Sequence, residues 1–275
     1  MKRPVSPFLI AKYSSSYKMP KTHNLQICHD VGNRYEIGID EAGRGPLFGR
    51  LYVAACVLPK DTSFHHEWMC DSKKIHSRKK MKEIADYIKQ NAVAWNIQFV
   101  EADVIDKINI RQSVLSAMHE CAKQVIDQLR SAGQPATLTT PTHSGTLATP
   151  THSGTLAQSE YMREIMLLVD GNDFTPHMVY NEVDQTIREI PFETIEGGDN
   201  TYTCIAAASI LAKNERDTYM EELCKEHPLL NERYGLAKNM GYGTKIHREA
   251  IDTHGITQWH RKTYGMCKTA RYSPI

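Results

Sequence analysis

Asp40 and Glu41 stand side by side where an apolar-alternating run, Tyr35-Glu36-Ile37-Gly38-Ile39, stops. A Gly43-Arg44-Gly45 turn follows, and a second apolar run extends from Leu51 to Leu58. Two carboxylates at a strand end are donors for a hard divalent cation, which prefers oxygen and keeps several waters. Glycines on either side of Arg44 let the backbone approach a ligand, and the guanidinium between them suits a phosphate. An ordinary charged hairpin turn has the same composition. Two further acids stand in comparable places. Asp170 ends the short apolar run Ile165–Val169, and Asp199 precedes the helical run containing Ala206–Ala208. Four carboxylates can hold two cations about 3.5–4 Å apart, and such a pair can supply an activated water, positive charge beside a phosphate and help for a leaving oxygen. By residue type alone, Asp170 before Gly171 also fits a turn, and Asp199 a helix-entry acid favoured by the dipole. Clustered like charges disfavour the ionised forms until a cation binds, so the site is expected to titrate differently with and without Mg²⁺.

The elements that must position these acids are legible from periodicity. Residues 35–40 and 51–58 are expected as strands joined by the Gly-Arg-Gly turn. Ser77 is the expected cap of a helix over 78–91, where Met81, Ile84, Ala85 and Ile88 share a face. Residues 92–100 alternate through Val93, Trp95, Ile97 and Phe99 as a third strand, and a long helix is expected over about 111–130. Ile165–Val169 and 188–195 are expected as short strands, with helices from Ala206 to about Glu226 and over Lys245–Thr253. Strands first and mixed elements afterwards imply an α/β fold, a sheet with helices on both faces.

The whole chain of 275 residues is 41% apolar, enough for a sizeable core, and its formal charge of +1 announces no nucleic-acid binder globally. Local charge says more. Lys73, Lys74, Arg78, Lys79, Lys80 and Lys82 form one basic run, and Arg261, Lys262, Lys268 and Arg271 a looser one; each suits either a phosphate backbone or a solvated face. Seven cysteines without a Cys-x-x-Cys pair argue for free thiols in a reducing compartment, and against a disulfide framework or zinc ribbon. No apolar stretch approaches membrane-spanning length. The expected location is the cytoplasm, or the nucleus of a nucleated cell. The first 29 residues lack Asp and Glu, which is compatible with an organelle presequence, but Pro4, Pro7 and Pro20 weaken the helix it would need. Residues 1–33 are therefore expected as a flexible tail and 34–275 as one catalytic domain. Thr140-Pro141-Thr142-His143-Ser144-Gly145-Thr146-Leu147-Ala148 is repeated unchanged as residues 149–157. The segment 132–158 is expected as a low-complexity insertion that cannot repay its ordering entropy. His143 and His152 lack companion carboxylates or cysteines and belong to that linker rather than to a metal site.

The string Asp40-Glu41-Ala42-Gly43-Arg44-Gly45-Pro46-Leu47 resembles the signature of the ribonuclease HII family. Further matches follow in family order: Asp71-Ser72-Lys73-Lys74, Val169-Asp170-Gly171, Gly198-Asp199, Ile205 to Lys213 with Arg216-Asp217, Gly241 to Lys245, His254-Gly255 and His260-Arg261-Lys262. The resemblance runs from about residue 35 to about residue 265. It implies a ribonuclease H-like mixed sheet flanked by helices, with a helical C-terminal extension. It also implies an endoribonuclease that uses Mg²⁺ or Mn²⁺ at a two-metal site. The expected cut is on the 5′ side of a ribonucleotide in an RNA–DNA duplex, including a single one embedded in DNA, leaving 3′-hydroxyl and 5′-phosphate ends. Removal of misincorporated ribonucleotides and RNA primers are the implied roles.

Residue by residue, the resemblance makes Asp40, Glu41, Asp170 and Asp199 the catalytic metal-binding acids. It gives Gly43, Arg44 and Gly45 the reading of the 2′-hydroxyl and phosphate, and Tyr242 the stacking on the sugar at the RNA–DNA junction; a half-buried core tyrosine is the alternative for Tyr242. Lys73 and Lys74 are candidates for phosphate contact, and His260 and Arg261 are expected to pack or bind backbone, with no chemistry assigned to them. The chain departs from the family pattern at Gly197, where a lysine is usual and a substrate contact is weakened, and at Gly243, where proline is usual and a looser loop is expected. Phe48 and Arg50 replace small or proline residues and leave the packing beside the turn open. These departures motivate an alternative, a relative that binds hybrids without cutting; retention of all four acids argues against it. Ribonuclease HIII is disfavoured by the Gly-Arg-Gly turn and by the short stretch before residue 35. The expected partner is an RNA–DNA hybrid or ribonucleotide-containing DNA, and the expected state a monomer, with accessory subunits left open. Lys268–Ile275 shows no aromatic-rich clamp-binding tail.

Overall fold

A computed structural model of the chain describes residues 25–133, 164–181 and 185–275. The duplicated nonapeptide and residues 1–24 lie outside the described residues. Elements follow the order β1 (Tyr35–Ala42), β2 (Leu51–Val57), α1 (Arg78–Asn91), β3 (Ala94–Val100), α2 (Ala102–Ile108), α3 (Ile110–Gly133) and β4 (Ile165–Asp170). Then come β5 (His177–Asn181), β6 (Thr186–Ile190), β7 (Phe192–Ile195), α4 (Thr203–Glu226), α5 (Pro228–Tyr234), α6 (Leu236–Asn239) and α7 (Lys245–His254).

Five strands form one mixed sheet in the order β3-β2-β1-β4-β7. β1 pairs antiparallel with β2 and parallel with β4, and β4 pairs parallel with β7. Alternation along the central strands divides the core. Ile37, Ile39, Val53 and Val169 pack against Val114, Met118 and Val125 of α3. Ala54, Cys56 and Leu168 pack on the other face against Ile205, Ala208 and Leu211 of α4 and Met81, Ile84 and Ile88 of α1. A third cluster, with Phe48, Met220, Tyr234 and Ile251, joins the end of α4 to the C-terminal helices. Ser77 caps α1 by accepting from Lys80 N, as its position predicts. The cysteines are free. Among the described residues no helix is long and apolar enough to cross a membrane.

Two expectations change. The stretch 188–195 is two strands, because Pro191 lacks an N–H and breaks the ladder. β6 pairs with β5 in a separate hairpin while β7 joins the main sheet, and Pro191 O accepts from Leu167 N at 2.9 Å. Residues 25–33, expected in a flexible tail, are tied to the body. Gln26 bridges Tyr202, and the buried Glu36 carboxylate accepts from His29 N, Asp30 N and Lys60 Nζ at 2.8, 2.8 and 3.1 Å. That carboxylate needs donors, and the preceding segment supplies them.

Gly38 decides how close α4 lies to β1. A methyl group on Gly38 would come within 2.3 Å of the Cys204 carbonyl carbon. Helix and strand therefore touch backbone to backbone at this crossing.

Candidate active site

In the β1–β4 pairing Ile39 lies opposite Val169, so the next residues, Asp40 and Asp170, stand level at the carboxyl ends of parallel strands. Because Ile39 and Val169 face α3, both acids face α4. From the Gly38 crossing, five helix residues at about 1.5 Å each and two strand residues at about 3.3 Å each cover nearly equal distances. Ser209 therefore arrives over Asp40 and hydrogen-bonds its carboxylate. The Ser209 and Ser72 hydroxyls are 3.0 Å apart, within hydrogen-bond distance of each other. Glu41 N donates to Asp40 Oδ1 at 2.7 Å, and Gly198 N to Asp170 Oδ1 at 2.7 Å.

These acids repel one another. Burial, then the charges of Asp170 and Glu41, push the Asp40 carboxyl well above the usual range, against the bonds from Ser209 and Glu41 N. Burial also raises Glu41, with Arg44 at 3.6 Å opposing it. Asp199 is raised by burial, then by Asp71 and Asp170, while Lys73 Nζ, 3.8 Å away, works the other way. Among the described residues neither Asp40 nor Asp170 forms an ion pair with a side-chain cation. Nor do any three His, Cys, Asp or Glu groups there converge into a ready-made cage. Asp40, Glu41 and Asp170 line one cleft of about 470 Å³, whereas Asp199 is not among its lining residues and is drawn instead toward Lys73. The acids present an all-oxygen donor set, and at Asp40 and Asp170 no side-chain cation among the described residues compensates the charge, which fits a hard divalent cation.

The rim of the cleft carries the remaining sequence candidates. Gly43 has φ +94°, and a methyl there would stand 2.4 Å from Arg216 Nε, so any side chain is strained and must displace Arg216. Arg44 and Gly45 line the cleft, as do Lys73 and Tyr242. Arg44 reaches Glu41 and, at 3.9 Å, Asp173, which Arg111 holds through two bonds of 2.9 and 2.7 Å. Lys74 is turned to Asn200 Oδ1 at 2.5 Å. Tyr242 is half exposed, its ring above the Arg216 guanidinium with 5.6 Å to the centroid. The looser loop expected at Gly243 is restrained by hydrogen bonds: Leu47 N to Gly241 O, Tyr242 N to Asn239 O and Gly241 N to Asn239 Oδ1, all 2.8–2.9 Å. Phe48 is fully buried edge-on to His260, and Arg50 bonds Glu101 while lying between the rings of Phe99 and Tyr219.

Several residues of the site carry no role in the sequence reading. Ser209, Lys213 and Arg216 recur at helical spacing on α4 and line the cleft together. That polar stripe within an alanine-rich helix was the available signal. Arg216 is buried, donates to Met240 O at 2.6 Å, and leaves its Nε without a partner. Arg261, expected in a loose phosphate-tracking run, is fully buried and spends its guanidinium on main-chain carbonyls, so it cannot serve a surface phosphate. Of the other run, Arg78 is held by Glu221 at 2.7 Å.

The family model described as Ribonuclease HII matches residues 37–132 and 148–267. A ribonuclease HII of Parabacteroides distasonis is 40% identical over 231 residues, covering 84% of this chain and 90% of that protein. The fold is shared with the ribonuclease HII of an Archaeoglobus fulgidus complex with PCNA, at TM-score 0.53 and 21% identity over 84% of this chain and 95% of that one. It is also shared with a ribonuclease HIII solved in complex with Mn²⁺, at TM-score 0.52 and 16% identity over 88% of this chain and 67% of that one.

Proposed function

The chain belongs to the ribonuclease HII family and is an endoribonuclease acting on RNA paired with DNA, and from that premise we propose that it incises duplexes at ribonucleotides, a single embedded one included, through Asp40, Glu41, Asp170 and Asp199. The observation that carries the reading is the level placement of Asp40 and Asp170 on parallel strands, facing one cleft without a cationic partner. Divalent cations, Mg²⁺ or Mn²⁺, held by these acids would supply positive charge at the scissile phosphate and a readily deprotonated water.

The chain's own residues do the rest. Ser209 and Glu41 N hold the Asp40 carboxylate in one orientation, and Gly198 N does the same for Asp170. The Gly43–Gly45 backbone, with no side chains at either end, approaches the 2′-hydroxyl, the group that separates RNA from DNA. Arg44 meets the adjoining phosphate, and Lys73, exposed beside Asp199, meets another. Lys74 supports the same strand. Tyr242 places an exposed ring at the other wall, where it stacks on the deoxyribose 3′ of the cut. Products carry 3′-hydroxyl and 5′-phosphate ends. The test is a labelled duplex with one ribonucleotide: Mg²⁺-dependent incision on its 5′ side is expected, and cleavage no faster than that of the all-DNA duplex refutes the specificity.

A further inference from the structure

The two elements assigned above to reading the substrate, the Gly43–Gly45 turn and Tyr242, are separated by most of the chain, yet one short segment holds both. Arg261 lies beneath the turn. Its Nη2 donates to Gly43 O at 2.7 Å, its Nη1 to Arg44 O at 3.1 Å and its Nε to Gly49 O at 3.0 Å. A planar trans peptide points each N–H opposite to the carbonyl it follows. Drawing the carbonyls of residues 43 and 44 onto Arg261 therefore aims the N–H groups of Arg44 and Gly45 away from it. Among the described residues neither N–H meets a protein acceptor, and both residues line the cleft. The guanidinium thus fixes two backbone donors toward the substrate side.

His260, the preceding residue, acts on the other element. Its Nδ1 lies 2.9 Å from Thr257 N, which can only donate, and 2.9 Å from Thr257 Oγ1, which can also donate; an unprotonated Nδ1 satisfies both, so the ring proton is on Nε2. That Nε2 is 3.2 Å from His247 Nε2, which must then accept. His247 therefore carries its proton on Nδ1 and donates it to the Tyr242 carbonyl at 3.0 Å, a group that can only accept. The fixed roles at both ends leave one pair of neutral tautomers that satisfies the chain. Thr257, His247 and His260 are all buried, so no water substitutes for a broken link.

We propose that His260 and Arg261 are positioning residues, a clasp that holds the Gly43–Gly45 turn and Tyr242 at one separation so that the ribonucleotide and the junction are read in a single register. The inference rests on the reading of the turn and of Tyr242 given above. It separates the two residues by effect. Arg261 governs the donors at the ribonucleotide, so its loss weakens cleavage of every RNA-containing duplex. The His260 hydrogen bonds run through His247 to the junction reader, so its loss weakens the lone-ribonucleotide duplex selectively.

The experiment uses the full chain and compares kcat/KM for a lone-ribonucleotide duplex with that for a uniform RNA–DNA hybrid, alongside thermal midpoints. Arg261→Lys, which keeps the charge but not the three-way fork, is expected to lower both values about tenfold or more, since small misplacements near a reacting centre have effects of that size. His260→Leu is expected to lower the lone-ribonucleotide value at least about fivefold and the hybrid value less than about twofold. His260→Gln, which restores an N–H near the position of Nε2, is expected to recover at least half of that loss. Nitrogen-15 spectra of histidine-labelled wild-type protein should show His260 protonated on Nε2 and His247 on Nδ1. The reverse tautomers, equal loss on both duplexes from His260→Leu, or a folded Arg261→Lys within twofold of wild type would each overturn the clasp. If His260→Leu does not fold, His260→Gln and the tautomers decide. If wild-type protein treats the two duplexes alike, the Tyr242 reading fails by itself, while the tautomers and Arg261→Lys still decide the clasp.

Discussion

The acids at the sheet end and the proposed readers at the rim are positioned by different means. Asp40 and Asp170 stand level because two parallel strands share one hydrogen-bond register, a property of the whole sheet. The Gly43–Gly45 turn and Tyr242 stand where they do because single side chains, Arg261, Arg216 and His247, each grasp a main-chain carbonyl. A register is cooperative and indifferent to any one side chain. An individual buried hydrogen bond has a net worth of about 0.5–1.5 kcal/mol, or about 1.5–3 when a charge is involved. The acidic centre should therefore fail through loss of its chemistry while the fold persists, and the rim should fail by degrees.

The largest effect should come from Asp40→Asn or Asp170→Asn. Loss of a partner that merely orients a metal ligand lowers affinity or activity about 10–100-fold, so loss of a proposed ligand itself should exceed about 100-fold in incision rate. Metal-free Asp40→Asn should melt at a higher temperature than wild type, because a neutral amide replaces a carboxylate that its neighbours repel. A lower melting temperature would show that this acid is held by contacts, as the rim is, and would erase the contrast. Next in size is Gly43→Ala. Its backbone conformation and the Arg216 contact predict a destabilisation of about 1–3 kcal/mol, read by urea unfolding, with weaker cleavage of all RNA-containing duplexes. Tyr242→Ala removes one stacking contact, worth about 1–3 kcal/mol. The lone-ribonucleotide duplex should lose about fivefold or more and the uniform hybrid distinctly less; equal losses would argue against junction sensing.

The pH dependence of metal-free stability should be the smallest effect, and it separates the two regions by sign. The raised carboxyls of Asp40, Glu41 and Asp199 bind protons more readily folded than unfolded. Their contribution is therefore lost as pH rises from the ordinary carboxylate range through the raised values. Burial lowers His247, and it lowers His260 to about 3. Unfolded histidines take up protons that these cannot, so stability is lost as pH falls from about 6.5 toward 3. Thermal midpoints across pH 4–8 should show both slopes. Mg²⁺ and Asp40→Asn should flatten the first alone, and His260→Gln the second alone.

The same division explains what the sequence disclosed. Strand ends and helix faces follow a local period, so Asp40, Asp170, the Ser77 cap and the α1 face were all legible. The break at Pro191 was misjudged because 188–195 reads as continuous β-rich sequence, and which sheet each half joins depends on remote partners. Arg261 was left between a basic run and a packing residue because nothing near residue 261 reveals that the carbonyls of residues 43, 44 and 49 await it. Arg216 was visible as part of a motif, but its role arises from Gly43 and Met240, both distant along the chain.

Gly38 has no functional group and touches no substrate, yet the height of Ser209 above Asp40 is measured from it. An added methyl would act as a shim under α4, lifting Ser209, Lys213 and Arg216 together and detuning the cleft without altering one reactive atom. A random screen for dead variants should therefore recover Gly38→Ala among proteins whose acids are all intact, a lesion that an inventory of reactive groups would overlook.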